Sequence, residues 1–401
     1  MIRAMENRLV SLMSFKKTLN YEVYHAVRSY LLKLYMETPK AESFELLDLF
    51  SFSAPGVFTF PSVSGFDTLD NVTSGESPML GIIGFRGVRY LVSCTSVEDR
   101  FSRTYALFVS GDVSKDARPE ELSEILLKEA VRNSGLSGKI LRIVSEPGSQ
   151  RLIFKIIPPF ATSLDRVYLK DKTELMDFIS AVKDGKQGLR YLFVGEPGTG
   201  KTETSRAIVS ETTKLCEDLT VLLVDAGCGV FLEEAFGYAE ILRPVLLCID
   251  DIDLIAGPRD QTLRRKDLST ALEALDGFLR NEDIFVIATT NDRFMVDFAL
   301  RRPGRFDLII EFDFLDPEFY PFIVLRETSD EKLAEVFKCG EVVRKLSSLK
   351  VTGAFMVALV NYLKRERLRD KRYEKDTVLS VIDRLVHSFR REMPKKEAMG
   401  F

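Results

Sequence analysis

The stretch "GEPGTGKTE", Gly195 to Glu203, follows the apolar run "LRYLFV" and holds the densest chemistry in the chain. Gly195, Gly198 and Gly200 allow the backbone to wrap with its N–H groups pointing inward, so a phosphate would meet a ring of donors and the positive end of the following helix. Glu196, Pro197 and Thr199 fill the turn between them. Lys201 supplies a cation, and Thr202 offers its hydroxyl to the Mg²⁺ that bridges the outer phosphates. Gly195 to Glu203 is therefore the expected phosphate-binding segment.

A second, acidic motif lies downstream, where "PVLLCIDDID" carries an apolar run into Asp250 and Asp251. Carboxylates at the C-terminal edge of a parallel strand stand where open α/β sheets bind their ligands. Asp250 is placed to hold the Mg²⁺ through water. Asp251 is the candidate to orient and polarise an attacking water, because phosphoryl transfer needs mainly a positioned nucleophile and neutralised charge.

The elements that must carry these groups alternate from Thr162 onward. "DKTELMDFISAVKDG", "KTETSRAIVSETTKL", "LEEAFGYAEIL" and "DLSTALEALDGFL" have helical periodicity, while "LRYLFV", "LTVLLVDAG", "PVLLCID", "DIFVIATTN" and "DLIIEFDF" are strands. Continuous apolar strands joined by helices signal a parallel sheet covered on both faces. After Pro317 only helical patterns follow. Before Pro159 the signals differ: the amphipathic helix of "NYEVYHAVRSYLLKLYMETPK" opens the chain, β-rich runs follow with "FRGV" closing a hairpin, then "RPEELSEILLKEAVRNSG" is a helix and "KILRIVSEPGSQRLIFKII" a second hairpin. The expected fold is α/β: an N-terminal α+β domain over 1–159, a P-loop parallel sheet domain over 160–316, and a helical lid over 317–401.

The composition of the 401 residues, 45% hydrophobic and 29% charged with a formal charge of −4, suits a globular protein and argues against non-specific capture of nucleic acid. The mixed-sign run "KRERLRDKRYEK" reads as a solvated helix face. Five cysteines, Cys94, Cys216, Cys228, Cys248 and Cys339, show no CxxC pair, and with only His25 and His387 beside them neither a disulfide framework nor a zinc site is expected. No apolar run reaches the ~18 residues of a spanning helix, and the start lacks the pattern of a signal peptide. The expectation is a cytoplasmic, reduced protein with no membrane anchor.

"FVIATTNDRFMVDFALRRPGRFD", taken with the two earlier motifs, resembles the second region of homology of the AAA ATPases, and the resemblance runs from about Leu164 to Arg391. It implies an ATPase that uses ATP and Mg²⁺. By position Asn291 resembles the sensor that hydrogen-bonds the γ-phosphate or attacking water, and Arg302 and Arg305 resemble arginine fingers. Val167 and Tyr168 match the adenine pocket, Gly353 and Ala354 the lid that closes over the nucleotide. A finger supplied in trans is worth ~10³-fold or more in rate, so the resemblance couples hydrolysis to assembly of a homo-oligomeric ring, six-membered in most of the family. Such a ring would act as a chaperone-like remodeller on a protein client held by the N-terminal domain.

Two departures modify these expectations. Asp251 stands where the family usually has Glu, one methylene longer. The segment that usually carries an aromatic pore loop is reduced to "CGVF", with Phe231 its sole aromatic, while Tyr238 falls on the next helix in a packing position. A shortened loop resembles the branch containing the mitochondrial translocase of the Rieske iron–sulfur protein. The tail "KKEAMGF" has Gly400 where a proteasome-docking tail carries Tyr. Beside the ATP-driven remodeller stands a second reading, a nucleotide-gated assembly with slow turnover.

Overall fold

The computed structural model describes residues 12–19, 21–37, 43–54, 57–59, 79–98, 103–145, 152–185, 188–225, 232–252, 283–291, 306–367 and 374–392. In chain order these give β1 (Leu12–Leu19), α1 (Tyr21–Glu37), β2 (Glu45–Ala54), β3 (Val57–Thr59), β4 (Met79–Phe85), β5 (Val88–Glu98), β6 (Arg103–Asp112), α2 (Pro119–Arg132), β7 (Ile140–Ser145) and β8 (Leu152–Ile157). There follow α3 (Thr173–Asp184), β9 (Arg190–Gly195), α4 (Lys201–Leu215), β10 (Thr220–Val224), α5 (Leu232–Ile241), β11 (Val245–Ile249), β12 (Ile284–Thr290) and β13 (Leu308–Phe312). Five helices end the described chain: α6 (Tyr320–Thr328), α7 (Glu331–Val336), α8 (Gly340–Ser348), α9 (Gly353–Arg367) and α10 (Lys375–Glu392). Two compact units result, one of residues 1–159, 216–247 and 280–285, the other of 160–215, 248–279 and 286–401.

The first unit is built on a six-stranded antiparallel sheet in the order β1-β6-β5-β4-β2-β3. Strict alternation of burial along β4 turns Met79, Gly81, Ile83 and Phe85 to one face. The β4–β5 hairpin expected at "FRGV" turns through Arg86 and Gly87, both at positive φ, the signature of a type I′ turn whose twist matches its strands. α1 buries Val23, Val27, Tyr30, Leu31 and Leu34 at helical spacing, and α2 buries Leu122, Leu126, Ala130 and Val131. The Tyr30 hydroxyl donates to Glu129 at 2.6 Å, tying the two helices.

One expectation fails at the start of this unit. α1 does not open the fold: β1 precedes it and pairs with β6 along its whole length, from Leu12 opposite Asp112 to Leu19 opposite Tyr105. Ser14, Lys16 and Thr18 on this edge strand are exposed, and the apolar alternation of Met13, Phe15 and Leu19 is broken by Lys17, so the strand owes its form to the pairing. The β7–β8 hairpin, which the sequence groups with the N-terminal sheet, does not join that sheet. It pairs instead through β7, parallel to β10, with Val221 opposite Ile140 and Val224 opposite Ile143.

The second sheet has seven strands in the order β13-β9-β12-β11-β10-β7-β8, with parallel pairing at β13–β9, β9–β12 and β10–β7 and antiparallel pairing at β7–β8. All seven residues of β12, all five of β11 and five of six in β9 are buried, as strands covered on both faces require. After this sheet the described chain is helical. Tyr320, Phe337, Leu346, Met356, Leu359, Leu363 and Ile382 form a separate apolar core among α6 to α10. Ser329 in the left-handed region ends α6, and Asp330 caps α7 by accepting from the Leu333 N–H at 3.1 Å.

Candidate nucleotide site

β9 delivers the chain to Gly195, and α4 begins at Lys201. The loop between them needs its glycines for different reasons. Gly198 and Gly200 lie at φ +80° and +108°, conformations that cost an L side chain strain. Gly195 is constrained by space: a Cβ there would overlap the carbonyl oxygen of Phe312, its partner in the β9–β13 register. Because the obstacle is backbone, Gly195→Ala is expected to destabilise this unit by about 2–3 kcal/mol, lowering the melting temperature by roughly 5–10 °C. An unchanged melting curve by calorimetry would contradict that packing.

Lys201 is only 5% exposed and its ammonium is fully directed. It donates to the carbonyl oxygens of Gly195 at 2.8 Å and Glu196 at 3.0 Å, and to Asn291 Oδ1 at 2.8 Å. Asn291, just beyond β12, uses its Nδ2 to donate to Asp251 Oδ1 at 2.7 Å. One amide thus joins the loop cation to the acid after β11, and since an ammonium only donates and a carboxylate accepts, the amide orientation is determined.

The hydroxyl of Thr202 lies 3.1 and 3.2 Å from the two oxygens of Asp250. Thr289, 2% exposed on β12, donates to Asp250 Oδ1 at 2.6 Å and accepts from the Asp251 N–H at 2.9 Å. Asp251 itself sits at φ +51°, a left-handed conformation that a non-glycine residue holds only when its surroundings fix it; Thr289 and Asn291 do so from the two sides. A hydroxyl and a carboxylate at the edge of a loop rich in N–H donors form the all-oxygen donor set that suits Mg²⁺, a hard cation that keeps several of its waters. The residues present therefore fit a magnesium-bound polyphosphate.

A cleft of about 750 Å³ runs beside this network, lined by Val167, Tyr168, Lys201, Ile323, Gly353 and Ala354 among others. Val167 is buried and Tyr168 half-buried, its ring 5.5 Å from that of Phe319 and 5.2 Å beneath the Arg326 guanidinium. Burial pushes the Tyr168 phenol up, against the opposing pull of Arg326. Thr352 caps α9 by accepting from the Phe355 N–H at 3.3 Å, and the preceding N–H, that of Ala354, donates to the Gly198 carbonyl at 3.1 Å. The first turn of α9 therefore rests on the phosphate loop. At the other end of α4's first turn Glu203 accepts from Thr162 at 2.7 Å.

Comparison with known proteins matches residues 191–314 to the ATPase family associated with various cellular activities (AAA). Residues 191–314 are an AAA ATPase domain. The match spans the phosphate loop, both acidic residues and Asn291. Relatives resemble the chain over about half of it. An ATP-dependent zinc metalloprotease FtsH from Acholeplasma laidlawii is 30% identical over 53% of this chain, and the YME1 subunit of the mitochondrial inner membrane i-AAA protease supercomplex of Saccharomyces cerevisiae is 32% identical over 47%. A probable inactive chloroplastic ATP-dependent zinc metalloprotease, FTSHI 5 of Arabidopsis thaliana, is 29% identical over 48%. The aligned regions cover 35%, 27% and 15% of those proteins' own lengths.

Within the AAA domain the structure brings together Lys201, Thr202, Asp250, Asp251 and Asn291, and sets Val167, Tyr168, Gly353 and Ala354 along the adjoining cleft. Arg302, Arg305 and Phe231 lie outside the described residues. Tyr238 packs on α5, 6% exposed, its ring 4.8 Å from Phe154. Sequence reading missed Thr289. Its signal was present: in "ATTN" it stands two residues before Asn291, so on a strand both face the same side. Among the described residues no helix is long and apolar enough to cross a membrane.

Proposed function

We propose that the chain hydrolyses ATP and works as a homo-oligomeric ring that remodels a protein client. The observation that carries this reading is Asn291, which holds Lys201 with one end of its amide and Asp251 with the other. A group so placed links the cation that would meet the outer phosphates to the carboxylate that would polarise water. In this reading Lys201 exchanges its loop carbonyls for phosphate oxygens, and Thr202 with Asp250 holds the metal. Bound Mg²⁺ supplies neutralising charge for the phosphates. Asp251 then orients the attacking water, while Arg302 and Arg305 reach the nucleotide of an adjacent copy. The name of the Acholeplasma laidlawii relative describes an ATP-dependent enzyme, which supports the ATP reading. Zinc protease chemistry is not proposed for these 401 residues, whose two histidines, His25 and His387, are not spaced as an HExxH pair.

A trans-acting finger makes activity depend on assembly. Magnesium-dependent phosphate release per subunit is expected to rise steeply with protein concentration and to level off once rings form; a specific activity independent of concentration would remove the shared-site reading. A second reading, a nucleotide-gated scaffold with slow turnover, is favoured by Asp251, a short acid already engaged by Asn291. The N-terminal unit is then the surface that holds the client, and the shortened pore segment, as in the branch that includes the Rieske-protein translocase, suits a client moved without aromatic paddles.

A further inference from the structure

The cleft beside the phosphate loop extends to residues that no motif identified. From Ala354, which touches the loop at Gly198, the cleft-lining positions Val357, Ala358 and Asn361 follow along one face of α9. At 1.5 Å per residue Asn361 stands about 10 Å farther along, roughly the reach of a nucleoside measured from its inner phosphates. α6 contributes Ile323 and, one turn later on the same face, Glu327 to the lining of the same cleft.

Glu327 is held in a fixed arrangement. Arg326 donates to its Oε1 from both Nε, at 3.0 Å, and Nη2, at 2.8 Å, while the same guanidinium lies 5.2 Å over the Tyr168 ring. Tyr168 is backed in turn by Phe319. Oε1 is thereby occupied, and among the described residues Oε2 accepts no hydrogen bond. An ionised carboxylate can only accept, so what it selects on a base is a donor. Adenine offers one exocyclic amino group there. Guanine presents a carbonyl oxygen at that position, an acceptor that an ionised carboxylate repels.

Resting on the nucleotide-binding reading above, we propose that Glu327, positioned by Arg326 on the Tyr168 ring, is a specificity-determining residue that reads the 6-amino group of adenine. Asn361 is a further polar residue lining the same cleft.

The test is titration calorimetry of the full chain with magnesium and three triphosphates: ATP, purine riboside triphosphate, which lacks only the 6-amino group, and GTP. The wild type is expected to bind ATP about tenfold or more tightly than either competitor, the scale of one hydrogen bond to a charged acceptor. Glu327→Ala should weaken ATP by that factor and leave the purine analogue within about twofold, erasing the preference. Glu327→Gln, which keeps one acceptor oxygen, should fall between the two; its melting temperature, unchanged from the wild type, would separate lost recognition from lost folding. Equal weakening of ATP and the purine analogue in Glu327→Ala, or tighter binding of GTP than ATP by the wild type, would overturn the assignment. Failure of the wild type to bind any of the three would instead sink the nucleotide reading on which it rests.

Discussion

Lys201→Ala is expected to reduce ATP binding by roughly 10²–10⁴-fold, because a hydrogen bond to a charged group contributes about 1.5–3 kcal/mol and the ammonium would make at least two of them to phosphate oxygens. Its geometry explains why the loss should fall on binding rather than folding. The ammonium now rests on two loop carbonyls and the Asn291 oxygen, all within the site, and none of them bridges distant parts of the core. Burying a cation is itself unfavourable, so removing it offsets part of what those bonds contribute. Calorimetry with magnesium and ATP reads the affinity, and thermal unfolding without nucleotide checks the fold. Near-normal affinity would show that the loop backbone alone retains the phosphates and would deprive the proposed exchange of partners of its basis.

The second large effect concerns turnover. Arg305→Ala should leave ATP affinity near normal while lowering hydrolysis about 10³-fold, since a finger acts on charge that develops during transfer. Asp251→Asn should bind ATP with the fold intact, because an asparagine oxygen can still accept from Asn291 Nδ2, yet it should hydrolyse poorly for want of a carboxylate to polarise water. Mixing the two inactive forms distinguishes shared from separate sites. In a randomly mixed ring about a quarter of the subunit junctions would pair an intact Asp251 with an intact Arg305, so activity should return toward a quarter of normal. Additive inactivity at every ratio would mean that each subunit completes its own pocket.

Much of the fold was legible in the chain because its signals are local. Buried parallel strands read as unbroken apolar runs, and β9, β11 and β12 are such runs. "FRGV" announced the β4–β5 turn through a glycine that tolerates positive φ. β1 was missed because its alternation, Met13, Phe15 and Leu19 against Ser14, Lys16 and Thr18, is short and broken by Lys17, and its form depends on β6, some ninety residues away in sequence.

By itself, then, the sequence determined the phosphate loop, the acidic strand end and the run of helices after Pro317, each through spacing within a short window. Only the tertiary structure decided that Asn291 would bridge Lys201 to Asp251, that Thr289 would support both aspartates, and that Arg326 would hold Glu327 against Tyr168 at the cleft. The same holds for Gly195, whose need for a missing Cβ arises from Phe312 on another strand. The physical reason is common to all of them: backbone conformation follows from neighbouring residues, whereas hydrogen-bond partners and close approach are set by which elements the sheet and the lid bring side by side.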